Sequence, residues 1–352
     1  MMIPHSRPAI SEEDISNVVN NLRSGLVAYG DEVARFEQDL SEYVGVVGGI
    51  ATNSGTNALF LALKALEVGC GDEIIIPSYV CVSVLHAIKY TGASPILVDI
   101  EPASYNIDPR SIAERITNST RAIVVPHLFG AAADLDGLSR FNVPIIEDCA
   151  QAIGAEYKGG KLGSYGLLST FSFKATKLMT TGHGGMVVTN SRKMLRKLRE
   201  LSKYDQLDKY LLSYNYRLTD FQAAMGRSQL KRLGDFIALR RQIAKTYSEV
   251  FRAMGYPVQH PAGSVFFRYV VEVDHCEAYL KSMKSHGISC EKPVYKPLHR
   301  YLDQRDNFPN TERAMRRAVS IPIYPSLSDD EVAYICSAIE RVWGSDTTRE
   351  KR

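Results

Sequence analysis

The 352-residue chain has no apolar run near the roughly 18 residues that a membrane-spanning helix needs. It has no CxxC pair either. Cys70, Cys81, Cys149, Cys276, Cys290 and Cys336 are scattered and do not cluster with histidines. A disulfide framework is therefore not expected, and a reducing, cytoplasmic compartment fits best. The opening residues, Met1 to Arg7, lack the basic-then-apolar run of a secretory signal. Excess charge is also missing: 42 Lys and Arg against 39 Asp and Glu leave +3. That surplus is too small and too dispersed to argue for nucleic acid or an acidic membrane as partner. No GxGxxG and no GxxxxGK[ST] occurs, so dinucleotide and P-loop sites lack their marks. No internal repeat is visible.

What is present is ordinary globular composition, 45% apolar and 23% charged, in a length that suits two domains. Short β-branched runs alternate with helical patterns. Strands are expected at Glu73–Pro77, Pro95–Asp99, Ala122–Pro126, Pro144–Asp148, Leu168–Phe173 and Met186–Asn190. Several are continuously apolar, as in strands covered on both faces. Between them Asn57–Leu66 and Val80–Tyr90 read as helices, which is the pattern of an α/β fold with a largely parallel sheet. After residue 190 the texture changes. Helices are expected at Arg192–Lys203, Thr219–Leu233 and Ile237–Met254, then a strand at Phe266–Val273 and a final helix at Asp329–Val342. Ser326 or Ser328 would cap that last helix, and Gly344 to Arg352 reads as a solvated tail. A boundary near 237 divides the chain into 1–236 and a smaller α+β unit, 237–352.

Three segments carry candidate chemistry. Thr52 to Asn57, with Ser54, Gly55 and Thr56, sits at a helix start, where free N–H groups attract an anion; a plain N-cap explains it as well. The strand ending Glu147-Asp148 delivers carboxylates to the carboxyl edge of the sheet. There Glu147 is expected to be solvated, and Asp148, pointing the other way, is the better candidate. No histidine or aspartate lies at useful local spacing for a metal, so none is expected. Ser169 to Gly185 places Lys174 and Lys177 in a loop between strands, followed by Gly182, His183 and Gly184. A desolvated lysine there can form a Schiff base, although most lysines simply snorkel to solvent. A phosphate cradle, an acid at a strand edge and an imine-forming lysine together are what pyridoxal 5′-phosphate requires.

At these residues the sequence resembles the DegT/StrS sugar aminotransferases, a branch of the fold-type I pyridoxal-phosphate enzymes. The resemblance runs through Gly30-x-x-Val33-x-x-Phe36-Glu37, Ser54-Gly55-Thr56-Asn57-Ala58, Val98-Asp99 and Pro126-His127-Leu128-Phe129-Gly130. It continues in Glu147-Asp148-x-Ala150-Gln151, Phe171-Ser172-Phe173-x-x-x-Lys177, Tyr214-Asn215-Tyr216-Arg217-Leu218 and Ser320 to Pro325. It implies a large cofactor-binding domain, a mostly parallel seven-stranded sheet between helices, with a smaller C-terminal α+β domain. The spacing from Ser172 selects Lys177 over Lys174 as the lysine that holds the cofactor and shuttles the proton. Asp148 would pair with the pyridine nitrogen, and Gln151 would lie against the ring or its phenolic oxygen. Ser54, Gly55, Thr56 and Ser172 would bind the phosphate. Asn215 would reach that phosphate from the partner subunit, making the active unit a homodimer.

Two departures from the family pattern stand out. Cys81 replaces the usual aromatic ring that stacks on the cofactor, so the stacking would be thinner, or Tyr79 or another group would have to substitute. His183 replaces a usual acid before Gly184-Gly185. His183, Tyr295 and His299 are candidates near the sugar, the last two equally open to a structural role. The implied reaction moves an amino group from glutamate or glutamine to a keto-sugar, expected as a nucleotide-linked keto-deoxysugar. The alternatives are a pyridoxal-phosphate sugar dehydratase, a cyclitol aminotransferase, or a non-catalytic regulator that keeps the fold. Dehydratase relatives carry histidine in place of the lysine, which favours transamination here.

Overall fold

The computed structural model describes residues 2–205, 209–256, 258, 260–304 and 308–344. Nine strands precede residue 190: β1 (Gly48–Thr52), β2 (Glu73–Pro77), β3 (Ser94–Val98), β4 (Thr120–Pro126), β5 (Ile145–Asp148), the small hairpin β6 (Glu156–Tyr157) and β7 (Gly160–Lys161), β8 (Leu168–Ser172) and β9 (Gly185–Thr189). Seven of them form one sheet in the order β1-β9-β8-β5-β4-β2-β3. The pairs β8-β5, β5-β4, β4-β2 and β2-β3 are parallel, while β9 is antiparallel to both β8 and β1. Only β9 therefore runs against the rest, and the α/β class with a mostly parallel seven-stranded sheet is as expected.

The strands read as continuously apolar because both faces are covered. Ile74 and Ile76 face one core with Val124, Leu168 and Val187; Ile75 faces the other with Ile123, Val125, Phe171 and Val188. The first face is covered by helices Gly55–Ala65 and Val82–Thr91, whose Leu59, Leu63, Val84 and Ile88 are buried. Helices Asp31–Val44 and Asp220–Lys231 cover the second through Val33, Phe36, Leu40, Ala223 and Leu230. The Gly30 and Val33 positions of the motif are explained by Asp220, whose Oδ1 accepts both N–H groups at 2.9 and 3.0 Å.

Strand β1 carries no sequence signal. Its Gly48 and Gly49 lack strand propensity, yet a Cβ at Gly49 would lie 2.8 Å from the Val187 carbonyl oxygen. Close backbone packing at the glycines adds to the buried β-branched Ile50 and Thr52, too short a pair to mark a strand in the sequence. The helix expected from Ile237 begins earlier, at Leu233, and runs to Ala253. Its Leu233 and Ile237 belong to the second core, whereas Ile243, Tyr247 and Phe251 join a third. The expected boundary at 237 thus falls inside one helix. The third core also holds the antiparallel pair β10 (Tyr269–Glu272) and β11 (Ala318–Ile321) and the last helix, Asp329–Gly344. Strand β10 is shorter than the expected Phe266–Val273 because Phe266 adopts φ +49°, outside extended space. Ser328, not Ser326, caps the last helix by accepting the Glu331 N–H at 3.1 Å. The tail expectation for 345–352 falls outside the described residues.

Candidate active site

The reversal of β9 brings four chain segments to one sheet edge. Thr52 ends β1 and Ser172 ends β8, and both pair with Gly185 at the start of β9. Asp148 ends the neighbouring β5 and pairs with Thr170. Above this edge lies a cavity of about 1130 Å³. Ser54, Gly55, Thr56, Cys81, Asp148, Gln151, Ser172, Lys177, His183 and Tyr295 all line it. Lys174 lines it as well, with its side chain exposed.

One rim of the cavity is the start of helix Gly55–Ala65. Ser54 is its N-cap: the Oγ accepts the Asn57 N–H at 3.2 Å, and the carbonyl takes the Ala58 N–H at 3.0 Å. The N-cap explanation is thus correct for the Ser54 hydroxyl. The Gly55 and Thr56 N–H groups have no bond to the described residues and stay open to an anion. The approach is tight. A Cβ at Gly55 would lie 2.8 Å from the Ser172 Cβ, and one at Gly185 2.5 Å from the Ser54 backbone. The two glycines let the helix end settle against β8 and β9 with the Ser172 hydroxyl beside it.

Lys177 is half-buried, with its Nζ 5.0 Å from the centre of the Phe267 ring. Burial pulls its amine below the ordinary lysine value; Asp148 and then Cys81 resist, whereas Arg268 and Lys174 assist. Burial likewise pushes the Asp148 carboxyl up, against the Ala150 N–H on Oδ1 at 3.0 Å and the charges of Lys177 and His127. An acid and an amine held this way both gain from a cationic or electrophilic ligand between them. Gln151 spends its Oε1 on the Phe129 N–H at 2.9 Å. Phe129 sits at φ +59°, a conformation that costs about 1–3 kcal/mol and turns its N–H to that amide.

Several expectations need correction. Glu147 is not solvated; it is fully buried and accepts five hydrogen bonds. They come from His127 Nε2 (3.0 Å), the N–H groups of Gly163 (2.9 Å), Tyr165 (2.8 Å) and Gly166 (2.6 Å), and Ser169 Oγ (3.2 Å). Burial alone would raise its carboxyl, but the His127 bond and the amide donors outweigh it and hold it below the ordinary range. Tyr79 cannot stand in for the missing stacking ring. It is fully buried, packed at 6.0 Å from Tyr105 and 6.4 Å from Phe129. His299 is away from the cavity: Nδ1 meets Ser78 Oγ at 2.7 Å, Nε2 meets Glu312 at 2.8 Å, and the ring stacks on Phe308. Asn215, by contrast, is expected at the partner subunit's site; it is exposed and does not line this chain's cavity.

Sequence reasoning also missed Arg268, which lines the cavity with Phe267, Glu291 and Lys292. A lone arginine just before β10 gives no spacing signal. His127, Glu147 and Cys149 offer ligand atoms within 4.8 Å of one another. The Glu147 oxygens are occupied, however, and His127 Nδ1 accepts the Ala133 N–H at 3.1 Å, so few lone pairs face a common point. All six cysteines are free. Among the described residues no helix is long and apolar enough to cross a membrane.

The donor set fits pyridoxal phosphate: open amides and a hydroxyl for a phosphate, a half-buried acid for a ring nitrogen, and a desolvated amine for an aldehyde. Comparison with known proteins points the same way. GDP-perosamine synthase of Escherichia coli O157:H7 is 33% identical over 359 residues, 97% of this chain and 98% of that protein. Among solved structures, Spr1654 of Streptococcus pneumoniae in its PLP form superposes with a TM-score of 0.91 at 28% identity, over 98% of this chain and 99% of that one. Helicobacter pylori PseC, an aminotransferase involved in pseudoaminic acid biosynthesis, gives 0.89 at 25%, over 98% and 100%. Residues 8–340 match one family along almost the whole chain, and with the lysine, acid and amide cradle in place, this protein belongs to the pyridoxal-phosphate-dependent DegT/DnrJ/EryC1/StrS aminotransferase family.

Proposed function

We propose that this aminotransferase moves an amino group from glutamate (or glutamine) to a nucleotide-linked keto-deoxysugar, as a cytoplasmic homodimer. The observation that carries the reading is the desolvated Lys177 amine and the half-buried Asp148 carboxyl on one cavity floor. The nucleotide-linked acceptor is supported by the likeness to GDP-perosamine synthase.

Pyridoxal phosphate, when bound, supplies an aldehyde that condenses with amines and a ring that accepts the electron pair of a broken C–H bond. Lys177 Nζ would hold it, and once displaced by the donor amine would take the donor α-proton as general base. Its lowered basicity keeps a share of the amine neutral for that task. Asp148 would keep the ring nitrogen protonated. The Gly55 and Thr56 N–H groups and Ser172 Oγ would bind the phosphate at the positive end of the helix. Gln151, with its oxygen fixed by Phe129, would present its amide NH2 to the ring side. Asn215 of the partner subunit would complete the phosphate site, which fits its exposed position here. His183 and Tyr295, the latter 88% exposed, stand at the mouth, where the sugar would enter.

Borohydride reduction and peptide mass spectrometry should find the trapped cofactor on Lys177, and Lys177→Ala should lose both adduct and turnover. An adduct elsewhere, or none in folded protein supplied with cofactor, overturns the assignment. Stoichiometric 2-oxoglutarate and amino-sugar from glutamate and a nucleotide keto-sugar test the substrates; a deoxygenated sugar without 2-oxoglutarate would instead mean dehydration.

A further inference from the structure

Arg268 has an unspent guanidinium fork. Its Nη1 lies 3.0 and 3.1 Å from the two ring nitrogens of His5, but Nε and Nη2 make no hydrogen bond to the described residues. The carboxylate nearest it, Glu291, stands at 3.8 Å and is 54% exposed. Elsewhere Arg300 grips Glu312 with two nitrogens, while the buried Arg240 donates from Nη1 to the carbonyls of Phe266, Phe267 and Ile323 and does not line this cavity, its Nε having no partner among the described residues.

The placement is specific. The Arg268 Cζ lies 5.4 Å from the Phe267 ring centre, and Lys177 Nζ lies 5.0 Å from the same centre. Two cations therefore share one aromatic ring on one cavity wall and repel each other, as the effect of Arg268 on Lys177 records. A built support holds Arg268 in place. The chain start pairs with the third core through Ile3 N–H to the Gly287 carbonyl (2.7 Å) and Ser289 N–H to the Ile3 carbonyl (3.0 Å). This sets His5 between Arg268 and Ser320, whose Oγ meets His5 Nε2 at 2.8 Å. Burial, then Arg268 and Arg240, hold the His5 imidazole down at about 3, so it remains a neutral acceptor beside the guanidinium.

We infer that Arg268 binds a carboxylate of the amino donor and that His5 is its positioning residue. The inference rests on the proposed donor chemistry. A donor bound for transfer must bring its nitrogen to the place Lys177 Nζ occupies, and its carboxylates then lie within one small molecule of that point. The planar fork of Arg268 matches a carboxylate through two parallel N–H bonds. The diphosphate of a nucleotide sugar is a different anion, separated from the reacting carbon by the sugar ring. Lys292 and Lys296 also line the cavity, and Lys292, 31% exposed against 18% for Arg268, suits it better.

Calorimetric titration of the cofactor-loaded protein with glutarate, a dicarboxylate without an amine, tests this directly. Arg268→Gln should weaken glutarate about tenfold to a hundredfold, the range of charge-assisted hydrogen bonds. Arg268→Lys should fall between. Glu291→Gln, which removes the competing anion, should bind glutarate tighter than the parent. Uridine diphosphate affinity should stay within about threefold throughout, since salt-screened charge is all that the site offers it. Should Arg268→Gln fail to fold, the opposite-signed Glu291→Gln still decides. Glutarate affinity unmoved by either variant, no glutarate binding by the parent, or loss confined to uridine diphosphate overturns the assignment. The Lys177 adduct is read separately, so a failed cofactor assignment is not confused with a failed carboxylate site.

Discussion

Glu147 and His127 form a fully buried pair, 3.0 Å apart, next in sequence to the Asp148 that faces the cavity. One carboxylate of the Glu147-Asp148 couple is thus spent on structure and the other kept for chemistry. The His127 ring meets Glu147 through Nε2 and the Ala133 N–H through Nδ1, so both ring nitrogens are engaged. Together they tie β5 to the 163–166 turn.

Replacing Glu147 by Gln turns an oxygen into an NH2 among four N–H donors. The variant should lose about 2–4 kcal/mol in denaturant unfolding, the range for a broken buried pair. The pH dependence has a defined sign. The folded carboxyl sits below its ordinary value, so its contribution is complete above about pH 4.3 and fades as pH falls through the lowered value. Acid melts of Glu147→Gln should lack that step. Equal acid sensitivity in both proteins would refute the account.

Lys177 titrates in the other sense. Its folded amine holds a proton less tightly than the unfolded chain, so its share of stability rises with pH between the lowered value and about 10.4. Capture of pyridoxal phosphate by the cofactor-free protein should speed up with pH to a midpoint below about 10.4. Asp148→Asn removes the main group raising the amine and should move that midpoint lower still. A midpoint that rises, or does not move, would contradict the arrangement.

His299→Ala should behave as a structural lesion. Losing its bonds to Ser78 and Glu312 and its stack on Phe308 should cost about 1–3 kcal/mol in unfolding. The KM for the keto-sugar should stay within about twofold, because the ring does not reach the cavity. A tenfold rise in KM with unchanged stability would return His299 to the substrate site.

The sheet was legible wherever apolar runs met turn residues, as in β2, whose limits match the expectation, because double-sided burial writes itself as unbroken β-branched sequence. Strand β1 was not, since glycines chosen for close approach leave no hydrophobic mark. The cavity floor was legible because Lys177, Asp148, Ser172 and Gly55 lie in short local segments whose spacing is set by strand ends. Residues whose role depends on distant partners were not: Glu147 draws its donors from 163–169 and His127, and His299 from Ser78 and Glu312. Arg268 gains its meaning only from Phe267, His5 and a chain start more than 250 residues away.

The cavity has two authors within one chain. Its base comes from strand ends locked into the seven-stranded sheet, while much of its outer wall is drawn from Phe267, Arg268, Leu280 and the 291–296 segment, later in the chain than that sheet. Substitutions in that outer wall leave the sheet register untouched. Base and wall are therefore set by different stretches of the chain, and they meet at the Phe267 ring, where Lys177 from the base and Arg268 from the wall stand within 5.0 and 5.4 Å of one centre.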